Sequence, residues 1–318
     1  MKQFKRDVAK VFNIKELGEL RKYLGCLFDR HENKIKIVQP ELITSFTESF
    51  KIPTGPRGTP AVAGQVLLRG HDPADNVNDE QQKTFRSGIG KLLHLTAKSR
   101  PEIANSVREI SKFMDGATPA HINAMYRIMR YVIATPQRGL EIAPDLSIKG
   151  HEITGKSDTD YAKDPTTRRS VTGYSILLNG AYVDWKSKMQ QCVTLSSTEA
   201  EYVGASQTAQ QMLFAQRILE SLGLKVKMPM ILEVNNMGAI DLANNWSSST
   251  RTKHIDVRHH FLRELVDCGV IKLKFVRSEE NVSDIFTKNL AGPLFQKHAK
   301  TLCGDDGYEI IENEDKGE

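Results

Sequence analysis

Four short stretches in the second half of the chain hold the residues best able to do chemistry: SDTD at 157–160, SSTEAEY at 196–202, VNN at 234–236 and SDIFTK at 283–288. Three of them bring acids, namely Asp158 and Asp160, Glu199 and Glu201, and Asp284, whereas the third in chain order brings the amides Asn235 and Asn236. Carboxylates gathered from distant parts of a chain are the ligands that a hard cation such as Mg²⁺ takes, in place of His or Cys. Each acid also has a plainer use. Asp158 suits a turn, and Asp160, two residues on, shares its strand face. Glu199 suits the first turn of a helix, where the dipole favours a negative charge. Asp284 suits a helix cap.

Which use applies depends on the elements that carry these residues. From residue 150 the pattern is one of strands: HEITGKSD, SVTGYSILLNG and AYVDWKSK follow one another, with LNGA as a hairpin signal. Ser197 and Thr198 can cap a long helix that runs to Gly223. PMILEV reads as a buried strand, MGAIDLANN as a short helix, HIDVRHHFLRELVDCG as a helix, VIKLKFV as a strand and SDIFTKNL as the final helix. The order βββαβαβα predicts an α/β fold with one mixed five-stranded sheet covered by helices.

Upstream the organisation differs. Residues 1–52 open with a helical stripe (Phe4, Val8, Val11, Phe12), then two short strands around the turn HENK, then the helix ELITSFTESF. Residues 53–83 are rich in Pro, Gly and Asp and read as a linker or an extended strap. Residues 84–149 are mainly helical, with segments beginning at FRSGIGK, at PEIANSV and at AHINAMY. GIGK at 88–91 lacks the spacing of a phosphate-binding loop and lies inside a helical pattern.

The longer sequence stretches around these motifs resemble a known family. SDTDYAKDPTTRRSVTGY, DWKSKMQQCVTLSSTEAEYV, TRTKHIDVRHHFLREL and ENVSDIFTKNL resemble the RNase H region of copia-type retrotransposon Pol polyproteins. FNIKELGELRKYLG and FRSGIGKLLHLTAKSRPEIANSV resemble the last part of the reverse transcriptase and its connection to RNase H. The resemblance runs collinearly through nearly all of residues 1–300. It implies a truncated α+β reverse-transcriptase tail at 1–52, a helical connection at 84–149 and an RNase H-like domain at 150–300, with the linker at 53–83 between the first two, while the acids of 301–318 read as a disordered tail. It begins beyond the polymerase palm, so no polymerase activity is expected, and residues 1–52 are expected to pack poorly without their palm partner.

The activity implied is hydrolysis of the RNA strand of an RNA–DNA hybrid, with two Mg²⁺ ions that activate water and stabilise the leaving oxygen. By the resemblance Asp158, Glu201 and Asp284 are the catalytic and metal-binding residues. At the fourth position the family carries aspartate followed by asparagine, and this chain carries Asn235 and Asn236. The amide keeps the shape and one acceptor oxygen but loses the charge, and one charge pair at 4 Å is worth ~4 kcal/mol at an effective dielectric of about 20. Impaired catalysis is the expectation. Glu233, two residues earlier on the same strand face and roughly 6–7 Å back, is placed to compensate only in part.

Composition agrees with a polyanionic partner. Residues 1–300 hold 43 lysines and arginines against 32 acids, a net +11, while 301–318 hold seven acids against Lys316. Arg168, Arg169, Lys186 and Lys188 are candidates for contact with the hybrid's phosphates, with an ordinary basic surface as the alternative. His254, His259 and His260 form no obvious ligand set and suggest structure or substrate contact. Cys26, Cys192, Cys268 and Cys303 are too dispersed for a zinc site or a disulfide framework. No apolar run approaches the ~20 residues of a membrane span and no secretory signal opens the chain, so the cytoplasm or nucleus is expected.

Overall fold

The computed structural model describes residues 2–15, 18–244 and 256–305. After helix α1 (Lys2–Val11), strands β1 (Lys22–Tyr23), β2 (Cys26–His31) and β3 (Lys34–Val38) form an antiparallel ribbon that leads into α2 (Pro40–Ser49). Leu140–Ile142 adds a fourth strand, β4, beside β3; no sequence signal had marked it. Between them lie α3 (Asp79–Thr96), α4 (Ala104–Ser111) and α5 (Pro119–Ala134). Helix α3 starts earlier than its apolar pattern because Asn78 and Gln81 form a reciprocal capping box. GIGK lies within α3, and Lys91 binds Ser45 Oγ at 3.0 Å and Ser49 Oγ at 2.9 Å on α2. Residues 53–78 run over these helices as a strap, with Gly58 O accepting from Gln296 Nε2 at 2.8 Å.

The second sheet has the order β7-β6-β5-β8-β9, built from β5 (Ile153–Asp160), β6 (Val171–Leu178), β7 (Ala181–Met189), β8 (Met230–Val234) and β9 (Ile271–Phe275). Strands β5, β6 and β7 are antiparallel neighbours, while β8 runs parallel to both β5 and β9. Helix α6 (Ser197–Ser221) makes the crossover from β7 to β8, and α7 (Met237–Asn244) and α8 (Asp256–Asp267) follow β8. Ile153, Ile176, Leu232 and Leu273 of the sheet pack with Tyr202, Ala205, Ala209 and Met212 of α6 in one apolar core.

A second core fills the other side. It joins Phe46, Phe85, Leu92, Val107, Ile128 and Val132 to Ile285, Phe286, Phe295 and Leu302 from the end of the chain. Two observations correct the sequence reading here. SDIFTKNL is not the final helix: residues Val282–Phe286 form a 3-10 turn, and the last helix is α9 (Gly292–Cys303). Pro293 in its first turn and Gly304 after it, at φ +74°, were the available signals. Nor do all of residues 1–52 pack poorly. Ile43, Phe46 and Phe50 are buried against α3 and α5, whereas Val11 and Phe12 are exposed.

Helix α9 is held by buried polar bonds as well as apolar packing. Arg100 donates to Glu102 Oε1 at 2.6 Å and to Thr135 Oγ1 at 2.7 Å, and Arg138 donates to Tyr131 OH at 2.7 Å and to Gln296 Oε1 at 3.1 Å. His298, two residues on, is 1% exposed and neither ring nitrogen has a partner among the described residues. Burial, with Lys297 and Lys156 nearby, pushes it down to about 4. The folded state therefore resists its protonation: the stability linked to His298 is full above pH ~6.5 and is lost as pH falls toward 4. His298→Gln is expected to remove on the order of 1–3 kcal/mol of the acid destabilisation between those values. Thermal unfolding from pH 4 to 8 checks this, and equal acid slopes in both proteins would refute it.

Candidate functional site

Asp158 lies near the end of β5, pairs across the sheet with Gly173 of β6, and is wholly buried. Strand alternation turns Ser157 and Thr159 to one face and Asp158 to the other. The chain at 282–288 lies against that second face because Gly173 has no side chain. A Cβ there would come within 2.7 Å of both Phe286 Cβ and Thr287 Cγ2. Asn281 fixes the approach, donating to Ser157 O at 2.8 Å and accepting from Ser283 N at 3.1 Å. Thr287 then donates through Oγ1 to Asp158 Oδ2, and Asp284 and Lys288 stand beside it.

Glu201 comes from the first turns of α6. Ser196 caps this helix by accepting from Glu199 N at 3.1 Å, and the Glu199 side chain returns to accept from Leu195 N at 2.7 Å. Glu199 is thus occupied by the cap, and Glu201 turns inward to 6% exposure. Gly204 lets α6 press onto β5 at this level, since a Cβ there would meet Thr159 Oγ1 at 2.5 Å. Burial pushes Glu201 up to about 9, with the Asp158 charge adding to the shift, and its Oε2 has no partner among the described residues. Burial and Asp158 likewise hold Asp284 well above the ordinary carboxylate range.

Asn235 follows β8 and donates through Nδ2 to Asp158 Oδ1 at 2.8 Å and to Ser278 Oγ at 3.2 Å, while its Oδ1 has no partner among the described residues. The four positions singled out in the sequence therefore meet at one place. A fifth residue there was missed: Lys288 Nζ lies 3.1 Å from Asp284 Oδ1 and 3.4 Å from Asp158 Oδ2. Burial works against its charge, but Asp158 and Asp284 outweigh that and raise its pKa above the lysine range. The signal available was its spacing, four residues after Asp284 on one turn.

The remaining candidates lie apart. Glu233 is bound to Lys156 at 2.5 Å and to Lys274 at 3.2 Å, so its charge is shared with those two lysines. Asp160 pairs with Lys163 at 3.1 Å. Arg168 and Arg169 are exposed on the loop between β5 and β6. Lys186 and Lys188 are exposed on β7, in register with Tyr174 and Thr172 and so on the face opposite Asp158. Of the disordered tail expected at 301–318, residues 301–303 instead complete α9, with Leu302 and Cys303 buried, and residues from 306 lie outside the described residues, as do His254 and the side chain of His259; His260 is exposed on α8.

Whether these residues suit a metal is a matter of donors and acceptors. Glu201 Oε2 and Asn235 Oδ1 are open acceptors, as a cation requires. Asp158, however, already accepts from Asn235, Thr287 and Lys288. Among the described residues no group of three or more His, Cys, Asp or Glu is arranged to hold a metal ion. As placed, the residues do not fit one. Among the same residues no helix is long and apolar enough to cross a membrane.

Strand order and register define an RNase H-like α/β fold. The chain belongs to the copia-type retrotransposon Pol polyproteins. It is 32% identical over 307 residues to the Retrovirus-related Pol polyprotein from transposon TNT 1-94 of Nicotiana tabacum, covering 95% of this chain and 23% of that protein. It is 29% identical over 296 residues to the polyprotein from transposon RE1 of Arabidopsis thaliana, covering 93% of this chain and 20% of the relative. The chain thus spans a quarter or less of the length of these curated relatives. No protein-family model matches it. Among solved structures, the N-terminal RNase H domain of a Mycobacterium tuberculosis protein matches 48% of this chain and 98% of its own, at 10% identity and a TM-score of 0.33. The fold assignment rests on topology and register, not on that likeness.

One consequence is directly measurable. Without a metal, folding places the Glu201 carboxyl beside Asp158 in a buried site, which disfavours its charged form. Glu201→Gln is expected to raise stability at pH 8 in EDTA by about 1 kcal/mol or more, or ~2–4 °C in Tm. A Tm equal to or below that of the native chain would contradict the arrangement.

Proposed function

We propose that this chain is a retroelement-derived RNase H-like protein that binds RNA–DNA hybrids and whose capacity to cleave them is impaired at Asn235. The observation that carries the reading is the meeting of Asp158, Glu201 and Asp284 with Asn235 at one place, Asp158 and Glu201 from the strand and the helix expected of them and Asp284 from a 3-10 turn instead of a helix. Asn235 is the point of failure for two reasons. It supplies no charge, and its Nδ2 spends an Asp158 lone pair that an aspartate would leave open. Hydrolysis of the hybrid's RNA strand, dependent on Mg²⁺, is the activity of the parent arrangement; restoring it requires an acceptor at position 235.

A non-catalytic nucleic-acid-binding role is the second reading, favoured by the same saturation of Asp158 and by the net +11 of residues 1–300. Salt-sensitive hybrid binding is common to both. The test is cleavage of a labelled RNA–DNA hybrid in Mg²⁺ and in Mn²⁺ by the native chain and by Asn235→Asp. The expected result is binding without appreciable cutting by the native chain, and a gain of at least about 100-fold for the variant, from the ~4 kcal/mol scale of one nearby charge, heavily discounted. Asp158→Asn added to the variant should abolish the gain. If neither protein cuts while both bind, the binding role stands alone.

A further inference from the structure

We infer that Lys288 is a built-in counter-ion of the carboxylate cluster, its ammonium standing where metal charge would stand, so that the protein folds without metal and a divalent ion must displace Lys288 to enter. The inference rests on the proposed descent of this cluster from a metal-dependent RNase H-type site. Four observations support it. Lys288 Nζ bridges two acids from different elements, at 3.1 Å from Asp284 Oδ1 and 3.4 Å from Asp158 Oδ2. Those two side chains are 6% and 0% exposed, so neither charge has water to meet it, unlike the partners of a surface ion pair. Glu201, nine-tenths buried, points an unpartnered Oε2 into the same space, which one ammonium leaves incompletely served. Finally, the Lys288 side chain is 34% exposed. It therefore sits at the mouth of the cluster with a long side chain that can swing toward solvent, whereas the short side chains of Asn235 and Thr287 are also held by Ser278 Oγ and Asp284 O.

Because Lys288 lies four residues after Asp284, the turn that delivers the acid also delivers its neutraliser. A monovalent ammonium offers hydrogen bonds to two carboxylates, whereas a divalent ion would need Asp158 released from Asn235, from Thr287 or from Lys288. Of these, Lys288 has the most freedom to leave.

The test is thermal unfolding of the purified chain in EDTA and in millimolar Mn²⁺, without nucleic acid, for the native protein, Lys288→Met and Lys288→Arg. The native Tm should not move with Mn²⁺. Lys288→Met, which keeps length but not charge, should melt several degrees lower in EDTA and regain the loss in Mn²⁺. Lys288→Arg should stay insensitive to Mn²⁺. If Lys288→Met does not fold in EDTA, refolding it in Mn²⁺ should recover the native signal. Failure to recover overturns the inference, as does a native chain stabilised by Mn²⁺ as strongly as the variant. Asn235→Asp separates this inference from the reading beneath it. Stabilisation of Asn235→Asp by Mn²⁺ with none for Lys288→Met rejects the counter-ion alone; no response in either variant rejects the cation-binding site itself.

Discussion

A carboxylate shut away from water is tolerable only if other groups replace its hydration, and Asp158 imposes that demand on everything around it. An unpaired buried ion costs several kcal/mol even after the surroundings relax. Asp158 meets the cost with hydrogen bonds from three residues in two separate parts of the chain: Asn235 just after β8, and Thr287 and Lys288 from the segment after β9. The glycines serve the same end. Gly173 lets the 282–288 segment reach Asp158, and Gly204 lets α6 reach the strand that carries it. Both close approaches concern backbone positions, so neither could be achieved by a larger residue with a different rotamer.

The same demand explains the local balance of charge. Among the described residues Asp158, Glu201 and Asp284 converge with a single ammonium, and Glu201 and Asp284 are the two whose protonated forms are favoured. Glu233 takes no part, because Lys156 on β5 and Lys274 on β9 flank it in cross-strand register. What an aspartate at 235 would have left to an external cation is here closed by an internal network of amide, hydroxyl and ammonium donors.

Much of this was legible in the sequence where local rules govern. Successive strand-like runs around the LNGA turn marked β5 to β7, and Ser197 and Thr198 marked the start of α6 to within two residues, the cap itself being Ser196. What escaped depended on tertiary contact. β4 is three residues long, and only its pairing with β3 makes it a strand. SDIFTKNL has helical composition, but Asn281 bonds to β5 and tightens it into a 3-10 turn. Lys288 was not singled out, since nothing in its neighbours announces that Asp158, 130 residues away, lies within reach. The choice between Glu199 and Glu201 stayed open until the cap geometry occupied the former.

Helix α9 carries a consequence for the autonomy of the two halves. Its apolar face, with Phe295, Ala299 and Leu302, is buried in the first core, against the 101–103 turn, β4 and Tyr131 of α5, and Arg138 reaches across to Gln296. The segment that completes the carboxylate cluster is thus anchored in a core belonging mostly to residues 43–140. A protease nick in the exposed stretch near 145–150 would divide the covalent chain but not the packing, and the pieces should travel together as a non-covalent pair. Expressed alone from residue 150, the second half would carry that face bare to solvent, an aggregation hazard that the intact polypeptide never presents.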